Sequence, residues 1–349
     1  MKIQKAKLAK KLNQIKAVVP KKTTHPALQG VLVEDGFLIA SDLEMTVKSK
    51  LGCADGERFL LPIQTFDLIQ NLPDGEIELS VTGKDSLVIQ AGGVKYKRKT
   101  LDPDLFPMTT ALEGESESTI KAEEFLKSLR RVSYAASSNG LNVAYISVCL
   151  QAKGGYLNFI SSDGHVLAWD KRVYDGEFEL LLPKNTVDRL KSFGFTGAVK
   201  IQSDGNGALF FTEELKVYTR LLDGQYFDYQ KMFHELPLHT GVSRTGLLDA
   251  MVRVKMCMVE KRPVKFRFEA DSLNLSMEDK AIDYHETIKL KWHLDEALTI
   301  GFNPSLVLET MKAFECENVK IFLGGPRQPV TIEDDSSDFK ALVLPIRID

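Results

Sequence analysis

No run of this 349-residue sequence approaches the 18 or more apolar residues that a membrane-spanning helix needs. The lysine-studded start, Met1 to Leu12, also lacks the apolar stretch of an export signal. A soluble, cytoplasmic chain with no membrane partner is the expectation. Cysteine is scarce: Cys53, Cys149, Cys257 and Cys316 lie about 60 to 110 residues apart and form no Cys-x-x-Cys pair, which argues against zinc fingers and disulfides and for buried thiols. Catalytic and phosphate-binding signatures are missing too. There is no Gly-x-x-x-x-Gly-Lys-Ser/Thr loop, no Gly-x-Gly-x-x-Gly, no His-Glu-x-x-His and no Gly-x-Ser-x-Gly. Nor is there a large excess of one sign of charge. With 45 Lys and Arg against 48 Asp and Glu, the net charge of −3 does not announce a nucleic-acid binder, and only the distribution of charge can decide that question.

What the sequence does have is a repeat. A hydrophobic fraction of 44% and a charged fraction of 27% are ordinary for globular chains, and the length suits two or three domains. Leu61-Pro62 is followed by apolar Phe66, Ile69 and Leu72, the spacing of one helical face. The same signal returns at Pro183 with Val187, Leu190 and Phe193, and at Pro304 with Leu308, Met311 and Phe314; both steps are 121 residues. A short alternating strand follows each time, at Ile77 and Leu79, Val199 and Ile201, and Val319 and Ile321. Ser41-Asp42 matches Ser162-Asp163 at the same period, as Leu101-Asp102 matches Leu222-Asp223 and Phe106 matches Phe227.

Each copy opens with a predicted helix, from about Ile3 to Val18, Ala122 to Ala136 and Leu247 to Met258. The front of the third copy is shortened, since Leu273, Leu275 and Met277 arrive about six residues early. Links are expected at Leu112 to Thr119 and at Phe233 to Gly241, where Pro237 and Gly241 interrupt the pattern. Three domains follow, 1–115, 116–236 and 237–349, each an α+β unit of two helices packed on β-sheets.

Few residues invite a catalytic interpretation. Ser162-Asp163-Gly164-His165 could offer an acid or a metal ligand, but it follows a strand and has the composition of a tight turn. The acidic run from Glu333 to Asp338 lacks the glycine and spacing of a calcium loop. A metal-dependent nuclease built on Asp163, His165 and the acids of 333–338 therefore has no ligand spacing behind it, and no metal or other cofactor is expected. His234 and His239, five residues apart, do not share a helical face.

The basic residues say more. The first 22 residues carry eight lysines, among them Lys7, Lys10, Lys11 and Lys22, and no acid occurs before Glu34. The second opening helix carries Lys127, Arg130 and Arg131, and the third Arg253 and Lys255. One such helix is ordinarily a solvated face, but recurrence in every copy implies a repeated basic surface. Without interleaved aromatics, these cations suit phosphates rather than bases, giving binding that is independent of sequence and weakened by salt.

Four segments carry a resemblance to a known family. They are Asp163-Gly164-His165-Val166-Leu167-Ala168, Leu222 to Tyr229, Gly301-Phe302-Asn303 with Cys316 to Val319, and the tail Leu344-Pro345-Ile346-Arg347. With the triple repeat, the chain resembles the bacterial DNA polymerase III beta subunits, the sliding clamps, from end to end. The resemblance implies three DNA-clamp domains per chain and a head-to-tail homodimer closed into a six-domain ring around duplex DNA. It also implies a processivity factor without an active site, tethering the replicative polymerase and serving the clamp loader and repair proteins. These partners insert a short peptide into a groove between the second and third domains. Carried over by position, the groove involves Ile146, Ser162, Gly164, His165, Val166, Leu167, Phe227, Lys231, Met232, Asn303, Leu306, Leu342, Val343, Leu344, Pro345, Ile346 and Arg347. The dimer contact involves Tyr96, Met256 and Cys257. The chain departs from the family at Val166, where many members carry arginine, and at Phe227, where proline is common. A peptide-binding scaffold that has lost DNA is the remaining alternative, distinguished by the role of the basic helices.

Overall fold

A computed structural model describes residues 1–52, 58–83, 85–108, 118–258, 262–279 and 282–348. Cys53, most of the expected first link and the 115/116 domain boundary lie outside the described residues. Six α-helices occur among those described: α1 (Lys5–Ile15), α2 (Phe66–Asn71), α3 (Ala122–Val132), α4 (Lys184–Leu190), α5 (Arg244–Cys257) and α6 (Pro304–Ala313). α1, α3 and α5 open the three copies, and α2, α4 and α6 follow the three prolines of the period.

Local chemistry sets their ends. Pro62 leads into a short 3-10 turn, Ile63–Thr65, that runs into α2. At α6, Pro304 occupies the first turn, where its missing N–H is no loss, while the Asn303 side chain accepts from the Ser305 N–H at 3.0 Å. The Ser243 hydroxyl accepts from the Gly246 N–H at 3.2 Å, so α5 begins at Arg244, earlier than the Leu247 expected from apolar spacing. α1 begins at Lys5, because Lys2–Gln4 is already committed to pairing with Glu76–Glu78. It buries Leu8, Leu12 and Ile15, one stripe at helical spacing.

The chain divides into two compact units that do not follow the repeats. The first holds Met1–Leu126 and Asn185–Leu221; the second holds Lys127–Lys184 and Leu222–Asp349. Each unit contains one eight-stranded and one four-stranded antiparallel sheet. In the first unit, strands Phe59–Pro62, Gly30–Glu34, Phe37–Ser41 and Met45–Lys50 continue into Leu215–Arg220, Gly207–Phe211, Ala198–Ser203 and Thr119–Lys121. In the second, Phe178–Pro183, Ser147–Lys153, Tyr156–Ser162 and Val166–Val173 continue into Lys340–Val343, Val330–Glu333, Asn318–Leu323 and Leu238–Ser243. Val47 opposite Val217 and Ala168 opposite Ala341 mark the two places where one copy's strands pair with the next copy's. The four-stranded sheets end on the strands Val94–Lys99 and Ile282–Lys289, each paired on one side only.

Gly241 is a strand residue, not part of a link. The Trp292 ring lies against its backbone, and a Cβ there would stand 3.1 Å from that ring, so close packing rather than a turn explains the glycine.

Three equivalent turns expose one strained position. The carboxylate Oδ1 of Asp42, Asp163 and Asp204 each accepts two following backbone N–H groups. The residue after each aspartate has a positive φ: Gly164 at 86°, Gly205 at 89°, but Leu43 at 77°. A leucine there crowds its Cβ against its own backbone, and at 42% exposure its side chain gains little burial in return. Leu43→Asn, which tolerates this conformation, is expected to raise stability by about 0.5 to 1 kcal/mol. A higher urea midpoint by circular dichroism would show it; an unchanged or lower one would mean that the leucine packs usefully.

Candidate functional site

One cavity of about 690 Å³ lies in the second unit. Its floor is sheet: Leu167 stands opposite Ser162 on one side and Leu342 on the other, and all three side chains are buried. Period-two alternation brings Leu167 and Leu342 to the same face. They share one buried cluster with Cys149, Ile160, Leu181 and Tyr229.

One wall is the loop before Ser147. The Asn142 side chain accepts from the Ala144 N–H at 3.0 Å, its carbonyl accepts from the Tyr145 and Ile146 N–H groups, and the Ser137 N–H donates to the Tyr145 carbonyl at 2.7 Å. This fixes the Tyr145 ring over Gly164, where a Cβ would come within 3.2 Å of it. Gly164 therefore serves both the positive φ of its turn and the approach of the ring.

The opposite wall is Gln225, Tyr226 and Phe227, the last two rings stacked with centroids 4.6 Å apart. The Trp169 ring lies 5.2 Å from the Tyr229 ring and 5.6 Å from that of Phe233. Burial pushes the Tyr229 phenol up to about 12 and raises the Tyr226 phenol further; the Tyr229 hydroxyl donates to Gln151 Oε1 at 3.1 Å.

Among the described residues, no Lys, Arg, Asp or Glu lines the cavity. Asn142, Ser162, His165, Gln225 and His234 supply its polar groups among apolar and aromatic side chains. The arrangement accepts uncharged apolar groups and offers a few hydrogen bonds for orientation, as binding clefts generally do. Nearby, Lys231 is spent on Asp228 at 2.9 Å; their mutual hydrogen bond lowers the carboxyl and raises the ammonium.

Of the groove residues carried over by resemblance, Ser162, Gly164, His165, Val166, Leu167, Phe227, Met232, Leu342 and Leu344 line this cavity. Ile146, Lys231, Asn303, Leu306, Val343, Pro345, Ile346 and Arg347 do not. Val343 is buried between Val166 and Val330, and Asn303 is engaged in capping α6. The tail runs alongside: the Leu344 N–H donates to the His165 carbonyl at 2.8 Å, and the Ile346 N–H to the Gly301 carbonyl at 2.7 Å. Asn142, Ala144, Tyr145, Gln225, Tyr226, His234 and Pro329 complete the lining and were not identified from sequence.

The basic residues differ in exposure and in the ion pairs they make. Lys7, Lys10, Lys22, Arg130 and Lys255 are exposed. Lys11 reaches Glu214 at 3.1 Å, Lys127 reaches Glu315 at 2.5 Å, and Arg253 holds Glu286 through Nε at 3.0 Å. The hydrogen bond from Arg253 keeps the Glu286 carboxyl below its ordinary value, so its stabilisation is present above that value and lost as pH falls through the lowered one. Arg131 corrects the expectation: it is 4% exposed, turned inward to Asp170 at 3.6 Å, with the Phe339 ring 5.3 Å from its guanidinium. It cannot belong to a surface that meets DNA.

Asp163 and Asp334 spend their carboxylates on local turns, Asp334 accepting from the Ser336 and Ser337 hydroxyls. Among the described residues, the one close group of possible metal ligands is Glu278, Asp283 and His285, all exposed and remote in sequence from the catalytic alternative. Tyr96 lies half-buried on the edge strand Val94–Lys99, where its hydroxyl accepts from Arg98 at 3.3 Å. Met256, 80% exposed, and exposed Cys257 close the end of α5.

Known proteins share this architecture. A family model described as DNA polymerase III beta subunit, N-terminal domain, matches residues 1–110, and the corresponding C-terminal domain model matches residues 237–347. The beta sliding clamps of Salmonella typhimurium and Escherichia coli K12 are each 23% identical over 363 aligned positions, covering 99% of both chains in each comparison. Solved structures agree in fold. The beta subunit from Streptococcus pyogenes superposes with a TM-score of 0.93 at 21% identity, covering 99% of each chain. The Pseudomonas aeruginosa sliding clamp bound to griselimycin gives 0.91 at 22%, covering 100% of this chain and 99% of that one.

Proposed function

The chain belongs to the family of DNA polymerase III beta subunits, and we propose that it is a sliding clamp: a processivity factor, not an enzyme, that encircles duplex DNA and tethers the replicative polymerase. The periodic pairing of its strands carries this proposal. Met45–Lys50 pairs with Leu215–Arg220 to join the first two copies, and Val166–Val173 pairs with Lys340–Val343 to join the last two. A shift of 121 residues carries Leu215–Arg220 back onto Val94–Lys99. It carries Val166–Val173 forward nearly onto Ile282–Lys289, which comes a few residues early, as the shortened front of the third copy requires. Among the described residues, each of these two strands ends its sheet and is paired with a neighbouring strand on one side only. A third junction of the same kind therefore needs a second copy, and two copies joined head to tail would pair both of these strands and close a ring.

Side chains at these edges support that closure. Tyr96 is the period counterpart of Val217, which pairs with Val47 at the internal junction. Lys95, Lys97 and Lys99 on one edge carry charge opposite to that of Asp283 on the other. Met256 and Cys257, exposed at the end of α5, would supply apolar contact.

The three-domain division at 1–115, 116–236 and 237–349 remains the frame for this assembly. Lys7, Lys10, Lys22, Arg130 and Lys255 would face the DNA and hold phosphates weakly, with retention supplied by closure rather than affinity. The cavity beside Leu344 would take the apolar peptide segments of polymerase, clamp loader and repair proteins, and griselimycin is a probe for it. No helix among the described residues is long and apolar enough to cross a membrane, and we place the protein in the cytoplasm, where it needs no cofactor.

Two measurements test this together. Sedimentation at micromolar concentration is expected to give twice the 39.1 kDa chain mass. Protein loaded onto nicked circular DNA is expected to persist in high salt and to leave once the circle is cut. Monomers throughout, or retention indifferent to cutting, would remove the ring.

A further inference from the structure

Two cations of the opening helices are held by carboxylates that belong to the following copy. Lys11 on α1 reaches Glu214, in the turn between Gly207–Phe211 and Leu215–Arg220, at 3.1 Å; Lys127 on α3 reaches Glu315, just past α6, at 2.5 Å. Each pair lies within one unit. Lys11 stands four residues from exposed Lys7, and Lys127 three from exposed Arg130, so each held cation shares a helical face with a cation in water. The carboxylate is the more exposed partner, at 54% against 15% for Lys11 and 62% against 36% for Lys127, and therefore meets solvent before the ammonium does. The hydrogen bond from Lys127 keeps the Glu315 carboxyl below its ordinary value, so it is charged at neutral pH. Partly exposed pairs of this kind add little to folding stability, and stability alone is a weak reason for them.

We infer that Glu214 and Glu315 are internal competitors of phosphate: each withholds one cation of an opening helix from the duplex and so loosens the protein's grip on DNA. This rests on the sliding-clamp reading. A ring is retained by closure, and every firm phosphate contact adds a barrier to movement along the duplex. A withheld cation therefore costs retention nothing and favours sliding. The carboxylate prevails because the fold tethers it beside its ammonium, whereas a phosphate must displace it and leave its charge without a counter-ion. Each contact withheld also removes one release of counterions from binding, so the number of engaged cations is readable from the salt dependence.

The test is the affinity of the purified full-length protein for a short linear duplex, followed by fluorescence anisotropy between about 50 and 200 mM salt. Glu214→Gln and Glu315→Gln, whose melting temperatures should match wild type, are each expected to bind more tightly. Across that range each should lose about three- to fourfold more of its affinity than wild type does, the mark of one added phosphate contact, and the double variant about tenfold more. In the Glu315→Gln background, Lys127→Gln should abolish the extra steepness. An unaltered salt dependence in either single variant would overturn the inference. So would steepness that persists after Lys127→Gln, since it would then come from the lost negative charge and not from a released lysine. Wild-type protein that binds no duplex at the lowest salt would instead refute the DNA reading itself.

Discussion

Asp170→Ala is expected to cost about 3 to 5 kcal/mol of folding stability. Asp170 is fully buried on the strand Val166–Val173, 2.8 Å from Arg172 and 3.6 Å from buried Arg131. Truncating it strands two cations in low dielectric, and that desolvation, rather than the lost attraction, dominates the cost. The sign of its pH dependence distinguishes this site from an ordinary ion pair. Burial raises the Asp170 carboxyl above its usual value, with Arg172, Ser128 and Arg131 opposing. A raised carboxyl binds its proton more tightly in the folded state, so its contribution grows as pH falls through the carboxylate range and shrinks as pH rises. The gap between wild type and Asp170→Ala should accordingly widen on acidification. Urea titrations from neutral pH down would measure it; a gap that closes would mean that the ionised pair stabilises the fold. Replacing Arg131 by methionine in the same chain should recover part of the loss, since the stranded charge leaves with its partner.

Leu344→Ala is expected to weaken griselimycin and polymerase binding by about 1 to 3 kcal/mol, the range of a truncated apolar anchor. Leu344 lines the cavity only half-buried: part of its side chain packs on the core cluster, and the rest is free to lose solvent to a ligand. Its backbone is pinned by the bond to the His165 carbonyl, which survives the substitution and leaves the cavity's outline intact. Affinity should therefore fall while the melting temperature barely moves. Isothermal titration with unchanged affinity would shift the binding site away from this tail.

The elements that were legible in the sequence are those set by local rules. Prolines at a fixed period opened α4 and α6 and the short turn before α2, and the Ser-Asp pairs formed turns because an aspartate can satisfy the N–H groups that follow it. Leu167 and Leu342 could be placed in the groove by resemblance, and alternation put them on one face. Tyr145 could not, because its place depends on contact with Gly164, nineteen residues on, and no periodicity encodes that approach. Tyr226 was passed over beside Phe227, although stacking makes the two rings one wall. Arg131 was legible and misread. Phe125, Ser128, Leu129 and Val132 form the buried stripe of α3, and Arg131, three residues from Ser128, falls on its flank. Counting cations along the helix hid what their angular position showed. The division into units was beyond reach for a different reason: strand partners in neighbouring copies are chosen by long-range pairing, not by local spacing.

That division has a spectroscopic consequence. The chain has two tryptophans, Trp169 and Trp292, and both fall in the second unit. Intrinsic tryptophan emission is therefore a monitor of one unit alone, while circular dichroism averages over both. If the units melt independently, the two signals will trace separate curves. The central repeat contributes strands to each unit, so only the part of it that lies in the second will register in the emission. Coincidence of the curves would make the chain a single cooperative body despite its two sheets of eight.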